Sequence, residues 1–475
     1  MLTPTPSANL IECRGGSRYI IIIIAAFFLG AAFFSQVFPS TVRGAAIITA
    51  TTATGATTTS TTPTISGVTG KLFSGVVVRT FAPSSLLLAG KRVKGTRVAA
   101  RVGVPICSKW AVVTTIHSPG DAVMDLANGR DGWCLVVVGD EGTPPYDLPS
   151  SHGVFLDASA QRALESDFSG FLHLLPWRHF GRKNVGFLFA VLHGATSVWD
   201  FDDDNGRRSD STLEPPATAR LVIELAAGSL TAAENASNQS VLQSPCIAFN
   251  PYPLMGAPSS PSWPRGFPLN LIKVPCNIRL APASAETVAS VGVFQSLANH
   301  EPDVDGIFRL TLPIPFDWNE AAQDTLVLPA GIAAPYNAQA QLSMHGALWA
   351  LLLPVTVHGR VSDIWRSYFA QRLLWDVGLH IAFTPPRVTQ FRNPHNALAD
   401  MHAEKDLYEK SLALVQFLRE WRGTSSTLQA RFEELHVALY ERSYIEIADV
   451  LLAQQWILAL ESAGYEFPLL KADAL

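Results

Sequence analysis

From Tyr19 to Phe38 the chain runs through Ile, Ala, Phe and Leu without a single charge, interrupted only by Gly30, Ser35 and Gln36. A helix of about twenty residues spans about 30 Å, the thickness of a bilayer's hydrocarbon core. The run therefore predicts a transmembrane helix over 19–38. Arg14 and Arg18 precede it. Positive charge on that flank puts residues 1–18 in the cytoplasm and the rest of the chain on the far, lumenal side. The alternative is a cleaved signal peptide, but its apolar part is normally about 7–15 residues and this one is longer.

The remainder is long enough for a large core. Of 475 residues 48% are hydrophobic and only 16% charged, which argues against global disorder. The net charge of −5 carries no basic excess, which argues against a nucleic-acid partner. Cys13 falls on the cytoplasmic side, and Cys107, Cys134, Cys246 and Cys276 would share an oxidising lumen. None forms a Cys-x-x-Cys pair, so thiolate zinc is not expected. Cys246 and Cys276 either staple the Pro-rich segment between them or remain buried thiols. Asn235-Ala-Ser237 and Asn238-Gln-Ser240 are adjacent glycosylation acceptors in a polar stretch.

Residues 39–103 read as a stem: Thr41–Thr64 is Thr, Ala and Gly and cannot build a core. Ordered sequence begins at about Val104. Trp110–Ile116 is a β-branched strand, Ser118 and Asp121 start a helix to about Leu126, and Trp133–Val138 is a second strand closed by Gly139-Asp140. Gly153–Leu156 is a third strand, Gly181–His193 a helix capped by Gly194, and Ser197–Phe201 a strand running into three aspartates. This alternation predicts an α/β domain over 104–400 with a mostly parallel central sheet and helices on both faces. Ligands bind such sheets at the carboxyl ends of the strands, where Asp140 and the Asp202 cluster fall. From 401 to 475 the apolar period is helical, which predicts a helical C-terminal extension.

Trp199-Asp-Phe-Asp-Asp-Asp-Asn205 is the sharpest local feature. Three adjacent carboxylates at a strand end repel one another unless a cation neutralises them. Oxygen ligands select Mg²⁺ or Mn²⁺, which would bridge to a diphosphate and stabilise the charge that develops as a glycosidic bond breaks. A solvated acidic loop is the plainer reading. Arg182 and Lys183 fall in the first turn of a predicted helix, where the dipole disfavours cations; a docked phosphate would offset them, and simple solvent exposure is the alternative.

The string from Pro176 to Asn205, PWRHFGRKNVGFLFAVLHGATSVWDFDDDN, resembles the corresponding block of the STELLO proteins. Those are Golgi type II membrane proteins with a glycosyltransferase-like domain, associated in plants with cellulose synthase assembly. Lys109–Ile116, Cys134–Asp140, Phe249–Leu269, Phe294–Leu310 and Leu351–Leu379 match as well, so the resemblance covers about residues 107–410. More distantly the motif order is similar to the reversibly glycosylated polypeptides, which have a GT-A fold and use UDP-sugars.

The resemblance implies a GT-A-like, Golgi-lumenal, nucleotide-sugar-binding domain. Asp202 and Asp204 resemble the metal-binding pair, Mn²⁺ or Mg²⁺ being the cofactor, with Asp203 between them on ribose or sugar. Thr115 and Asp140 fall on the donor nucleotide, and Arg182 and Lys183 match the basic pair near it. Ser362-Asp-Ile-Trp365 resembles an acidic motif opening a helix, with Asp363 as general base toward an acceptor hydroxyl; a helix-terminal carboxylate is the structural alternative. His395 stands where such enzymes supply a metal histidine, or is ordinary surface. Asp303 and Asp305 shape a sugar pocket or cap a turn. Trp263, Arg265 and Gly266 contact sugar or acceptor, or form a rigid turn. The partners implied are a nucleotide-sugar donor, a glycan or protein acceptor, the membrane and a polysaccharide synthase complex. A non-catalytic assembly factor is the competing function.

Overall fold

The structure is a computed structural model that describes residues 68–73, 76–81, 97–225 and 246–471, apart from 275, 320, 323 and 394. The predicted membrane helix, most of the stem, Cys13 and both glycosylation acceptors lie outside the described residues. No described helix is long and apolar enough to cross a membrane. The chain divides into two compact units, 1–82 and 83–475.

In the first unit, β1 (Val68–Phe73) and β2 (Val76–Phe81) form an antiparallel hairpin with Val68 opposite Phe81 and Phe73 opposite Val76. Only weakly structured sequence is expected over this part of the stem. The run Val76-Val-Val78 has the β-branched composition that favours an extended backbone, and it stands apart from the Thr-rich composition before it.

The second unit opens with β3 (Lys109–Thr115), α1 (Asp121–Ala127), β4 (Cys134–Gly139) and β5 (Gly153–Leu156). Next come α2 (Ala158–Ala163), α3 (Glu165–Leu172), α4 (Lys183–Leu192) and β6 (Ser197–Phe201), so the predicted strand and helix order over 110–201 is observed. The sheet continues through β7 (Asn205–Arg207), β8 (Arg220–Glu224), β9 (Ile278–Pro282), α5 (Ala285–Ala289), β10 (Val291–His300), α6 (Gly306–Thr311), β11 (Leu326–Leu328) and β12 (Ala340–Met344). The chain ends in α7 (Gly359–Asp376), β13 (His380–Gln390), α8 (Ala397–Ala403), α9 (Lys405–Glu420), α10 (Leu428–Glu441) and α11 (Ile447–Ser462).

One sheet of 11 strands runs β5-β4-β3-β6-β12-β10-β13-β11-β8-β9, with β7 added on β13. The first four strands are parallel throughout, and β10 meets β13 in parallel again. Antiparallel ladders flank β12 and join β13 to β7 and β11.

Successive side chains of a strand face opposite sides of the sheet, and β3 and β4 sort accordingly. Trp110, Val112, Val136 and Val138 enter one core with Val185, Phe187 and Leu188 of α4. Ala111, Val113, Leu135 and Val137 enter the other with Val123 and Leu126 of α1. Every residue of β4 is buried, as a strand covered on both faces requires. Gly186 lets α4 lie close to the sheet: a Cβ there would meet Val112 and Val138 at 2.6 and 2.7 Å.

The C-terminal helices pack into the main domain. Leu414, Leu435, Trp456 and Leu460 belong to the same core as α4 and α7, and residues 83–475 form one compact unit. Two disulfides cross-link it: Cys107–Cys134 ties the approach to β3 onto β4, and Cys246–Cys276 closes the Pro-rich segment.

Candidate functional site

The carboxyl ends of β3, β4 and β6 bring Thr115, Asp140 and the Asp202–Asp204 triplet to one edge of the sheet. Beneath the triplet lies a buried ionic floor. Lys183, fully buried at the start of α4, places Nζ 2.6 Å from Asp200 Oδ1 and 3.3 Å from Asp202 Oδ1. It also donates to the carbonyls of Phe201 at 2.7 Å and Ala338 at 3.0 Å. Arg366 of α7 donates to the other Asp200 oxygen at 2.9 Å and to Gln341 Oε1 at 2.7 Å. Burial works against the charge on Lys183, but Asp200 and Asp202 outweigh it and its pKa ends raised. The helix-start cation is thus offset by carboxylates of β6 and the loop after it.

Each carboxylate of the triplet has a protein partner. Asp203 accepts from the Thr115 hydroxyl, which itself accepts from His117 N–H at 3.0 Å. Asp204 accepts from Gln390 Nε2 at 3.0 and 3.1 Å. Gln339 donates to Asn205 Oδ1 at 3.0 Å, and its carbonyl accepts from Asp202 N–H at 3.2 Å. Charge is still crowded. The protein packed around its carboxylate, with repulsion from Asp204, Asp200 and Asp203 and against the pull of Lys183, pushes Asp202 up to about 7 even though the side chain is only partly covered. Burial and Asp203 also raise Asp204, against the hydrogen bond from Gln390.

The donor set fits a hard divalent cation in its chemistry: two oxygen ligands, Asp202 and Asp204, whose mutual repulsion a cation would relieve. Asp202 keeps 39% of its side chain open. Among the described residues no three His, Cys, Asp or Glu converge on a metal position. The remaining ligands would have to come from phosphate and water.

A second cluster sits on the other side of Ala338. Arg265 donates Nε to Asp303 at 2.7 Å and forks onto Asp363 at 3.0 and 2.8 Å. Burial disfavours its charge, but Asp303 and Asp363 prevail and hold its pKa well above the usual value. Burial likewise works against ionised Asp303, and Arg265 overrides it, leaving that pKa lowered. Asn337 Nδ2 completes Asp303 at 2.7 Å. Ala338 links the clusters, its N–H 3.2 Å from Asp363 Oδ2 and its carbonyl on Lys183. Asp363 is the fifth residue of α7, not a residue of its first turn, so the helix-terminal alternative is corrected: Arg265 balances its charge.

The other predicted residues are each held by protein partners of their own. Arg182 is buried against Gln161 Oε1 at 2.9 Å and stacks on Trp177 at 3.8 Å, and burial lowers its pKa to about 10 against the pull of Asp140. Asp140 accepts from the N–H groups of His179 at 3.1 Å and Glu141 at 2.6 Å. Asp305 caps α6 through Phe308 N–H at 2.8 Å and accepts from Trp263 Nε1 at 2.7 Å. Burial pushes Asp305 up to about 6 despite those bonds. Gly266, with φ +81, turns the chain after Arg265 against Ile364. His395 makes its contacts with Asp400 at 3.0 Å and the Asn393 carbonyl at 2.9 Å.

Sequence reasoning missed Asp200, Arg366, Asn337, Gln339 and Gln390. Only Asp200 carried a usable signal, an aspartate inside an apolar strand two positions before the triplet.

A family model of STELLO glycosyltransferases matches residues 360–474, the stretch holding α7, β13 and the C-terminal helices. "Probable glycosyltransferase STELLO1" of Arabidopsis thaliana is 30% identical over 367 residues, covering 76% of this chain and 45% of that protein. "Probable glycosyltransferase STELLO2" of the same plant is 31% identical over 371 residues, with the same 76% and 45% coverage. The chain spans less than half the length of these curated relatives.

Proposed function

The chain belongs to the STELLO family, and from that premise we propose that it transfers a sugar from a nucleoside diphosphate donor, a UDP-sugar, to an acceptor hydroxyl in the Golgi lumen, within a GT-A-like domain. The observation that supports this most is the convergence of Thr115, Asp140 and Asp202–Asp204 on one sheet edge.

In this reading Asp140 and Thr115 lie on the nucleoside side, and Asp203 meets ribose or sugar. Asp202 and Asp204 would hold Mn²⁺ or Mg²⁺, which supplies charge neutralisation for a diphosphate leaving group. Lys183 and Arg366 keep the Asp200–Asp202 strand end fixed and limit the negative charge it presents. Transfer breaks the donor's glycosidic C–O bond, whose electron pair leaves on the diphosphate, and forms a bond from the acceptor oxygen to the anomeric carbon. Asp363 is the proposed acceptor of the hydroxyl proton. Arg265 orients that carboxylate through two hydrogen bonds, at 3.0 and 2.8 Å.

The test is calorimetric titration of the chain with UDP, GDP and their sugars, with and without Mn²⁺. Metal-dependent nucleotide binding is expected, and Asp202→Asn/Asp204→Asn should lower it at least about tenfold with the fold unchanged. Unchanged affinity in that double variant rejects the metal assignment.

One observation favours a second reading. Arg265 locks Asp363, and Lys183 counters Asp202, so two of the site's carboxylates are balanced by the protein's own cations. A domain retained as an assembly factor for a polysaccharide synthase complex needs only such a balanced fold. No nucleotide binding by folded protein would select it.

A further inference from the structure

Phe391 directly follows β13 and keeps 67% of its surface in solvent. Its N–H lies 3.4 Å from the Asp204 carbonyl, and the preceding Gln390 holds the Asp204 carboxylate, so the ring stands at the rim of the triplet. His300 lies beside it, ring centroids 4.8 Å apart and planes at 42°.

His300 adopts φ +70, a left-handed backbone that side-chain-bearing residues seldom take. It is fixed there from both sides: its N–H donates to Asp317 Oδ1 at 2.8 Å and its carbonyl accepts from Phe316 at 2.9 Å. Local strain of this kind persists where surrounding contacts overdetermine it, and it concentrates at functional sites. Three residues on, Asp303 enters the Arg265–Asp363 cluster. The aromatic pair therefore borders both carboxylate clusters, one through Asp204 and the other through the 300–303 turn.

An exposed aromatic face beside hydrogen-bonding carboxylates suits a sugar ring, whose C–H face is apolar and faintly electropositive while its rim carries hydroxyls. The position also separates acceptor from nucleoside. Thr115 and Asp140 end β3 and β4 on one side of the triplet, whereas Phe391 extends from β13, beyond β12 and β10 in the sheet order. With strands about 4.8 Å apart, a donor whose base lies over β4 and whose diphosphate lies at Asp202–Asp204 leaves the β13 side to the second substrate. Resting on the proposed transferase reading, we infer that Phe391 and His300 form an acceptor platform on which a neutral sugar ring stacks, so that the acceptor is an oligosaccharide end rather than a protein hydroxyl.

The test is saturation-transfer NMR on the full chain with UDP and Mn²⁺, using gluco-, xylo-, manno- and galacto-oligosaccharides as probes, beside nucleotide titration of the same samples. At least one probe should receive saturation on its ring C–H protons. Phe391→Ala should weaken that probe about tenfold, the scale of one aromatic contact, Phe391→Trp should retain it, and nucleotide affinity should stay constant in both. Leu469→Ala, another exposed apolar position, should change nothing. The inference is overturned if no probe binds the wild-type chain, if Phe391→Ala binds the probe unchanged, or if it loses nucleotide instead, which would make the ring a base platform. Absent nucleotide binding by the wild-type chain would instead sink the transferase reading, on a separate readout.

Discussion

Gly266 carries two constraints at once. Its φ of +81 suits glycine, and an added Cβ would come within 2.3 Å of Ile364 Cγ2. Left-handed backbone costs a side-chain-bearing residue about 1–2 kcal/mol, and the clash adds to it. Gly266→Ala should therefore destabilise the domain by about 2 kcal/mol or more in urea melts. Ile364→Ala in the same chain removes the clash but leaves the φ term, so the double variant should cost less than the sum of the two single ones. Strict additivity would mean the two side chains do not meet. The stakes are functional because Arg265, one residue before, is the fork that holds Asp303 and Asp363 together.

At the scale of elements, α7 is the least ordinary helix: 16 of its 18 residues are buried, including Asp363, Arg366, Gln371, Arg372 and Asp376. A helix buried all round is normally apolar. Here the charges find partners inside and outside the helix: Arg366 is answered by Asp200 of β6, and Asp376 by Arg372 one turn away in the same helix at 2.6 Å and by Arg431 of α10 at 2.8 Å. Removing one partner strands the others. Asp376→Leu should cost about 3–5 kcal/mol by urea denaturation, and Arg372→Met added to it should recover part of that loss. A double variant no better than the single would assign the cost to packing.

The same helix shows what was legible. β3 and β4 announce themselves as β-branched apolar runs and β6 as a short stretch around Val198, Trp199 and Phe201, and the aspartates after β6 fall at a strand end because hydrophobicity stops there. Arg366, Asn337 and Gln339 gave no comparable signal. Arg366 finds its carboxylate 166 residues away, and Asn337 reaches Asp303 at a separation of 34. Local pattern cannot encode such pairings, since the strand order β6-β12-β10-β13 that creates them is a tertiary fact. Arg182 and Lys183 illustrate the opposite case. Their place at a helix start was readable, but whether an anion, a carboxylate or water meets them depends on what the sheet brings beneath.

At the scale of the whole molecule, stability should depend on acidity through histidines buried in uncharged form. Burial lowers His436 to about 4, against a hydrogen bond to the Phe432 carbonyl at 2.8 Å. Its contribution is complete above the unfolded value of about 6.5 and is lost as pH falls from there through 4, a range worth up to about 3 kcal/mol. Asp305, raised to about 6 by burial, acts with the opposite sign, favouring the fold at lower pH. The informative quantity is therefore a difference: His436→Leu, set between Phe369 and Phe432, should flatten the fall in unfolding free energy between pH 7 and pH 4.5 relative to wild type. Parallel curves would mean that His436 charges without penalty.

The Cys246–Cys276 bridge bears on the molecule in another way. Covalently, the stretch between the two cysteines is a ring hung on the main chain rather than a link in it. Load passing from the strands before it to the strands after it has a second path through the sulfurs. A break in the backbone inside that ring would leave the protein in one covalent piece, with both cysteines still held at the same separation.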